Sequence, residues 1–259
     1  MKYSELINEQ ARQAVDCEQV FAVWRDADRE FRERFAGSMF WRPAATGDGE
    51  YLYREVRGAQ RSLGPRSAET ETTYQAFTEG RESVRETLRG TTQRLNGMAP
   101  VNKALRLNRV PLIAARILRR LDEVGLLGKP MRVAGTHVLY AMERACGVQV
   151  ASDVLATGDV DLLWDSRAGL KLTAGSGVRT SGLLGVLQKL DRSFKPAGKD
   201  SFRAVNRDGY MVDLIAPHTS KDPMRSKPQR LGSSDDELTA VEIGGLAWLV
   251  NSPSFEQVV

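Results

Sequence analysis

Two aspartates stand two positions apart in an apolar run, Asp159-Val160-Asp161-Leu162-Leu163-Trp164. Alternate residues of a strand face the same side. Read as a strand, the run sets Asp159 and Asp161 side by side and turns Val160 and Leu162 into a core. Adjacent carboxylates repel and cost stability unless a cation neutralises them. Mg²⁺ suits such a pair, because it takes a few carboxylates together with phosphate oxygens and water. A third carboxylate follows. Asp208-Gly209 between two strand-like runs predicts a hairpin. Asp213 lies in the return strand between Val212 and Leu214, and a carboxylate embedded among apolar strand residues needs a reason.

These carboxylates need elements to position them. Met131, Val133 and Ala134 form a short apolar run that ends in Gly135-Thr136. Val138, Leu139, Ala141, Met142 and Ala145 then recur at helical spacing, with Gly147 as the C-cap. Between the Asp-x-Asp run and Asp213, a helix is predicted over Gly182 to Leu190, burying Leu183, Leu184, Val186, Leu187 and Leu190. Lys189, Arg192, Lys195 and Lys199 gather at and beyond its end. Cations there complement the helix dipole; alternatively, one of them reaches a phosphate group. Thr173 to Ser181, with Gly175 and Gly177, reads as a mobile loop beside the site. His137 reads as a packed or capping residue, and Asp153 and Asp165 as loop residues.

The order strand, Gly-Thr turn, helix, Asp-x-Asp strand and later Asp strand resembles the nucleotidyltransferase superfamily with the DNA polymerase β-like fold. More closely, the chain resembles a family of bacterial nucleotidyltransferase-like proteins. The matching pieces are SLGPRS at Ser62 to Ser67, AGTHVLYAME, TGDVDLLWD, GLLGVLQKLDRSF, GYMVDLIAP and LAWLVNSPSFEQVV. They cover most of the chain beyond about residue 60. The resemblance implies that Gly135 and Thr136 hold a triphosphate, with Thr136 standing where Ser or a second Gly is usual. It also implies that Asp159, Asp161 and Asp213 hold two Mg²⁺ (or Mn²⁺) ions and form the catalytic set. Lys189 and Arg192 are candidate nucleotide ligands. The implied reaction moves an NMP from an NTP such as ATP to an acceptor hydroxyl and releases pyrophosphate. The acceptor stays open among tRNA, a protein and a small molecule, so RNA or protein is an expected partner. The alternative is a non-catalytic nucleotide- or nucleic-acid-binding module on the same fold.

The expected fold is α+β. A mainly helical N-terminal region spans 1–128, with a β-hairpin near 39–54, and a polymerase β-like catalytic domain with a mixed sheet flanked by helices spans 129–259. With 259 residues, 41% apolar and 27% charged, the chain can bury a sizeable core without staples. No apolar run is long enough to span a bilayer and no signal peptide is evident. Cys17 and Cys146 match no metal or disulfide spacing, so cytoplasmic residence is expected. A net charge of +4 permits contact with nucleotides or nucleic acid without requiring it. A helix is predicted over Ser4 to Ala36. Met39 to Arg42 and Tyr51 to Arg54 read as strands whose aromatic rings either pack or stack a base. Arg61 to Ser67 reads as a turn whose arginines either clamp phosphate or sit on an exposed loop. A charged helix over Thr72 to Leu95 breaks at Asn96-Gly97. Pro111 opens a further helix, preceded by the basic Lys103, Arg106 and Arg109. Lys221 to Arg230 reads as a basic loop. The chain stops at Val259 inside an apolar run, and the resemblance implies relatives that continue beyond it, so a truncated or naturally short form is expected.

Overall fold

The computed structural model describes residues 3–44, 48–107, 109–128, 130–155, 157–165, 176–218 and 229–258. Contacts divide the chain into two compact units, Met1–Leu6 with Arg109–Gln257, and Ile7–Asn108. The expected boundary at 128 falls after a helix that belongs to the core of the first unit. Mixed helix and strand throughout agree with the α+β expectation.

In chain order, β1 is Tyr3–Glu5 and α1 is Asn8–Glu33. Strands β2 (Ser38–Pro43), β3 (Glu50–Val56) and β4 (Ala59–Pro65) follow, then α2 (Ala68–Ala104) and α3 (Leu112–Glu123). Next come β5 (Met131–Ala134), a 3-10 turn (Gly135–His137) and α4 (Val138–Cys146). After them lie β6 (Val148–Val150), the short α5 (Ser152–Leu155), β7 (Asp159–Trp164) and α6 (Ser176–Leu190). The last elements are β8 (Lys195–Pro196), β9 (Arg203–Val205), β10 (Met211–Pro217), β11 (Gln229–Arg230), β12 (Thr239–Ile243) and α7 (Ala247–Asn251).

In the unit Ile7–Asn108, α1 and α2 pack around Ala27, Phe35, Phe77 and Val84. The expected hairpin is present and gains a third strand. The sheet is antiparallel in the order β2-β3-β4. Residues 61–65, expected as a turn, run as β4, joined to β3 by the two-residue loop Arg57-Gly58. Arg66 pairs with Glu50 and with Glu71 at 2.8 Å, and its guanidinium lies 5.1 Å over the Trp41 ring. Trp41 packs on Tyr74 at 5.8 Å, which is the packing alternative for that ring, whereas Phe40 and Tyr53 stack on each other beneath Arg42. Helix α2 runs through Asn96-Gly97 instead of breaking there. Glycine costs a helix interior about 1 kcal/mol. Anchors beyond it offset that cost: the Gln13 amide donates to Asn102 at 2.7 Å and the Gln10 amide to Leu105 O at 2.8 Å.

The other unit is built on a seven-stranded mixed sheet. Its main path runs β11-β12-β10-β7-β5. Strand β10 is parallel to β7 and β12, and β9 pairs antiparallel with the first half of β10. Parallel neighbours need a crossover, and α6 lies in the one between β7 and β10. One sheet face carries Val160, Leu162, Val212 and Leu214, all fully buried among Ala114, Ile117 and Leu121 of α3 and Leu183, Val186 and Leu187 of α6. On the opposite face Ala134, Leu163 and Ile215 pack with Val250 of α7. Strand β1 joins this unit by pairing antiparallel with β6. The sequence pattern ran helix through Ser4 and Glu5, and the pairing with β6 takes those residues instead. Arg109 ties the same region together, donating to the buried Glu143 and, at 2.7 Å, to Val150 O.

Residues 176–181, expected as loop, form the first turns of α6, and Gly182 breaks the helix (φ 58°). The restarted segment is capped from a distance. The carboxylate of Glu237, only 2% exposed, accepts from Leu183 N at 2.9 Å and from Leu184 N at 3.3 Å. Residues 166–175, most of the basic Lys221 to Arg230 loop, and Val259 lie outside the described residues. Among the described residues, no helix is long and apolar enough to cross a membrane.

A buried carboxylate that satisfies two orphan amides is costly to remove. Glu237→Ala is expected to lower the unfolding free energy by about 1–3 kcal/mol, measured as a shift of the urea midpoint at unchanged m-value. An unshifted midpoint would mean the capping bonds contribute nothing.

Candidate metal and nucleotide site

Alternation along β7 and the register with β10 assemble the acidic cluster. Parallel pairing puts Asp161 opposite Asp213 and Asp159 opposite Met211. The three aspartates share the face away from α3 and α6, and one carboxylate oxygen from each lies within 4.8 Å of the other two. Asp213 is buried and the other two are half-buried. Burial, then the charges of Asp159 and Asp213, push the Asp161 carboxyl above its ordinary range, and Arg203 pulls the other way. The Thr157 hydroxyl donates to Asp159 Oδ1.

Strand β5 delivers the Gly-Thr turn to this cluster. Ala134 pairs with Asp161 across β5 and β7, and the chain then turns at Gly135. Gly135 has φ +61°, and a Cβ built there would lie 2.0 Å from Asp161 Oδ2. No side chain fits, so glycine is required on both counts. Thr136 follows, half-buried, and the turn runs directly into α4. His137 is buried. Its Nε2 lies 3.4 Å from the Tyr210 hydroxyl and its ring is edge-on to Tyr140. Burial lowers its pKa against the pull of Asp159, which agrees with a packed neutral imidazole.

Lys189 and Arg192 lie at the end of α6, and the cleft that Arg192 lines reaches Gly158, the residue before Asp159. They sit in and just beyond the last turn of α6, the helix that packs on the opposite sheet face. Both are exposed. Arg192 lines an open cleft of about 710 Å³ with Arg116, Asn206 and Tyr210. Lys195 opens β8, where it pairs with Val205, and Lys199 is exposed. Proximity in sequence to the end of α6 carried no information about which sheet face the helix covers.

The residue that sequence reasoning missed is Arg203. It lies on β9 directly opposite Asp213. Its Nε donates to Asp213 Oδ1 at 2.7 Å and its Nη2 to Oδ2 at 2.6 Å, a two-pronged ion pair. The hydrogen bond to Asp213, first, and the charges of all three aspartates raise the guanidinium pKa against burial. A two-residue Asp208-Gly209 turn would set Ala204 opposite Asp213. In the structure Asn206 N donates to Tyr210 O and Val205 stands opposite Met211, so the register differs by one residue and sets Arg203 there, which the turn signal alone does not reach.

The donor set is all oxygen, partly buried and over-supplied with negative charge, which fits a hard divalent cation. A family model described as Nucleotidyltransferase matches residues 113–259. That is more than half of the chain, and the chain belongs to this family. No curated protein and no solved structure matches it.

The raised Asp161 carboxyl sets a sign for stability. The folded state binds this proton more readily than the unfolded chain does. The stability contributed by Asp161 is therefore fully present below the ordinary carboxylate range and is lost as pH rises through its folded value. At neutral pH the metal-free protein carries that cost. Asp161→Asn is expected to raise Tm in EDTA, by about 2–4 °C for each kcal/mol relieved, and to reduce the further rise on adding Mn²⁺. A Tm in EDTA at or below wild type would contradict the charge-strain reading.

Proposed function

We propose that this chain is a metal-dependent nucleotidyltransferase with a polymerase β-like catalytic domain, transferring an NMP from an NTP to an acceptor hydroxyl. The observation that carries the reading is the convergence of three carboxylates beside a glycine turn that heads a helix. The all-oxygen donor set and the family membership support it.

Asp159, Asp161 and Asp213 would hold Mg²⁺ or Mn²⁺. When bound, such ions supply charge stabilisation for the attacking and leaving oxygens and lower the pKa of the acceptor hydroxyl. Gly135 and Thr136 offer backbone N–H groups and a hydroxyl to the β- and γ-phosphates, as helix N-termini do for anions. Gly135 presents bare backbone beside Asp161, so phosphate ligand and metal ligand are held in one rigid arrangement. In the transfer, the acceptor hydroxyl loses its proton to solvent or to Asp213, the candidate general base, its oxygen bonds to the α-phosphorus, the bond from that phosphorus to the bridging oxygen breaks, and pyrophosphate leaves with the electron pair. Thr157 keeps Asp159 oriented towards the cluster. Lys189 and Arg192 remain candidate nucleotide ligands: both are exposed at the end of α6, and Arg192 lines a cleft that reaches Gly158 beside Asp159. RNA or protein as acceptor, and residence in the cytoplasm, belong to the same proposal.

The test is pyrophosphate release from each of the four NTPs with Mg²⁺ or Mn²⁺, with RNA and protein lysate offered as acceptors. Asp161→Asn should lose on the order of 10³-fold in rate, the several kcal/mol that metal-held charge supplies, while its far-UV spectrum stays native. Full activity in Asp161→Asn would remove the assignment. Retained NTP binding with no release from wild type would favour the non-catalytic module.

A further inference from the structure

We infer that Arg203 is the site's resident counter-ion and competes with a divalent metal ion for Asp213, so that it sets the metal affinity of the cluster. The inference rests on the metal-site reading above and adds a residue which that reading does not use.

The geometry of the pair is the first observation. Asp213 has one carboxylate, its side chain is 7% exposed, and both of its oxygens are engaged by the Arg203 fork. A carboxylate offers about four lone-pair positions, and a two-pronged arginine takes a matched pair of them. Any metal that uses Asp213 must displace at least part of that fork, or sit beside a full positive charge. Arg203 is also close enough to Asp159 and Asp161 to feel both. It therefore partly neutralises the whole cluster, and a divalent ion would do the same work in its place.

The second observation is that the backbone of Arg203 is pinned while its side chain is partly open to solvent. Arg203 sits between two strands, paired with Asp213 on β10 and with its carbonyl accepting from Ala197 N at 2.9 Å. Ser201 closes a local turn, its hydroxyl donating to Arg203 O and accepting from Arg203 N, each at 3.1 Å. Phe202 N-terminal to it is held through its carbonyl by Leu214 N at 2.8 Å. The backbone is pinned, but the Arg203 side chain is 35% exposed. It rests against the Phe202 ring, 5.6 Å from the ring centre. Release of Asp213 needs rotation of this part-exposed side chain alone, with no change in the pinned backbone.

A supporting partner that stays in place predicts the opposite. Groups that hydrogen-bond a metal ligand and orient it raise metal affinity, and losing them typically costs 10–100-fold. Competition and support therefore differ in sign, and binding alone separates them.

The experiment is a Mn²⁺ titration of the full chain without nucleotide, read by the electron paramagnetic resonance of free Mn²⁺. Wild type is compared with Arg203→Gln, Arg203→Lys, Asp213→Asn and the Arg203→Gln/Asp213→Asn double variant. Arg203→Gln is expected to bind Mn²⁺ about tenfold more tightly, the size of losing a charged hydrogen-bonded competitor. Arg203→Lys, a point charge without the fork, should fall between. The gain should vanish in the Asp213→Asn background, because the effect runs through that carboxylate. Unchanged or weaker binding by Arg203→Gln, with wild type still binding, overturns the competition and leaves the metal site standing. If neither wild type nor Arg203→Gln binds Mn²⁺ at millimolar concentration, the metal-site reading falls, and the competition with it. If Arg203→Gln does not fold, Arg203→Lys decides alone: tighter binding supports the competition, and equal or weaker binding overturns it.

Discussion

The parallel register between β7 and β10 is the constraint on which the site depends. It sets Val160 beside Val212 and Leu162 beside Leu214, all fully buried, and by alternation it sets Asp161 beside Asp213 on the other face. A slip of one residue would drive Asp213 into the core and turn Val212 and Leu214 out of it. Each of those apolar side chains contributes about 1.5–3 kcal/mol by leaving water. Each close carboxylate pair opposes with about 1–4 kcal/mol, depending on how much water screens it. The two effects are comparable in size. The apolar face can therefore hold the acidic face together, but only with a cation reducing the repulsion, and Arg203 is that cation in the structure.

Gly135 links the Gly-Thr turn to the carboxylates through sterics, not through bonding. Its missing Cβ lets the backbone of the turn lie against Asp161 Oδ2. The same turn feeds α4, whose far end is fixed where Glu143 accepts from Arg109 and from Val150 N. The position of the turn is thus set at one end by strand pairing between Ala134 and Asp161, and at the other by a buried ion pair. Catalytic groups need placement to within a fraction of an ångström, and support of this kind provides it. His137 belongs to that support, packed between Tyr140 and Tyr210.

The parts of this architecture governed by local rules were legible in the sequence. Alternation along Asp159 to Trp164 identified the face shared by two aspartates. Asp208-Gly209 identified the hairpin that returns Asp213. Helical spacing identified α4 and α3, and Pro111 marked the start of the latter. What could not be read depends on long-range contacts. Asn96-Gly97 stops an isolated helix, but α2 continues because α1 supplies side-chain bonds to its far end. Leu63-Gly64-Pro65 has turn composition, yet β3 recruits it as an edge strand. Which sheet face α6 covers is set by its packing against Val160, Leu162, Val212 and Leu214, and no local signal tells it. Arg203 was overlooked because nothing marks it out locally, and only the strand register makes it the partner of Asp213.

Placing arginine on the strand beside the acidic one has a consequence for the charge of the site. Where metal ligands are mutually repulsive and unpaired, folding often waits for the metal. Here the most buried carboxylate is paired from within its own sheet, by a residue ten positions away across a tight turn. The two strands of this hairpin are local in sequence, and the neutralising charge lies on one and the carboxylate on the other. In the structure Asp213 faces Asp159 and Asp161 while paired with that cation. Lysine would not serve as well, since a single ammonium cannot satisfy both oxygens of a buried carboxylate in one plane. The guanidinium thus offsets one of three carboxylates from within the sheet, while Asp161 still feels the charges of both Asp159 and Asp213.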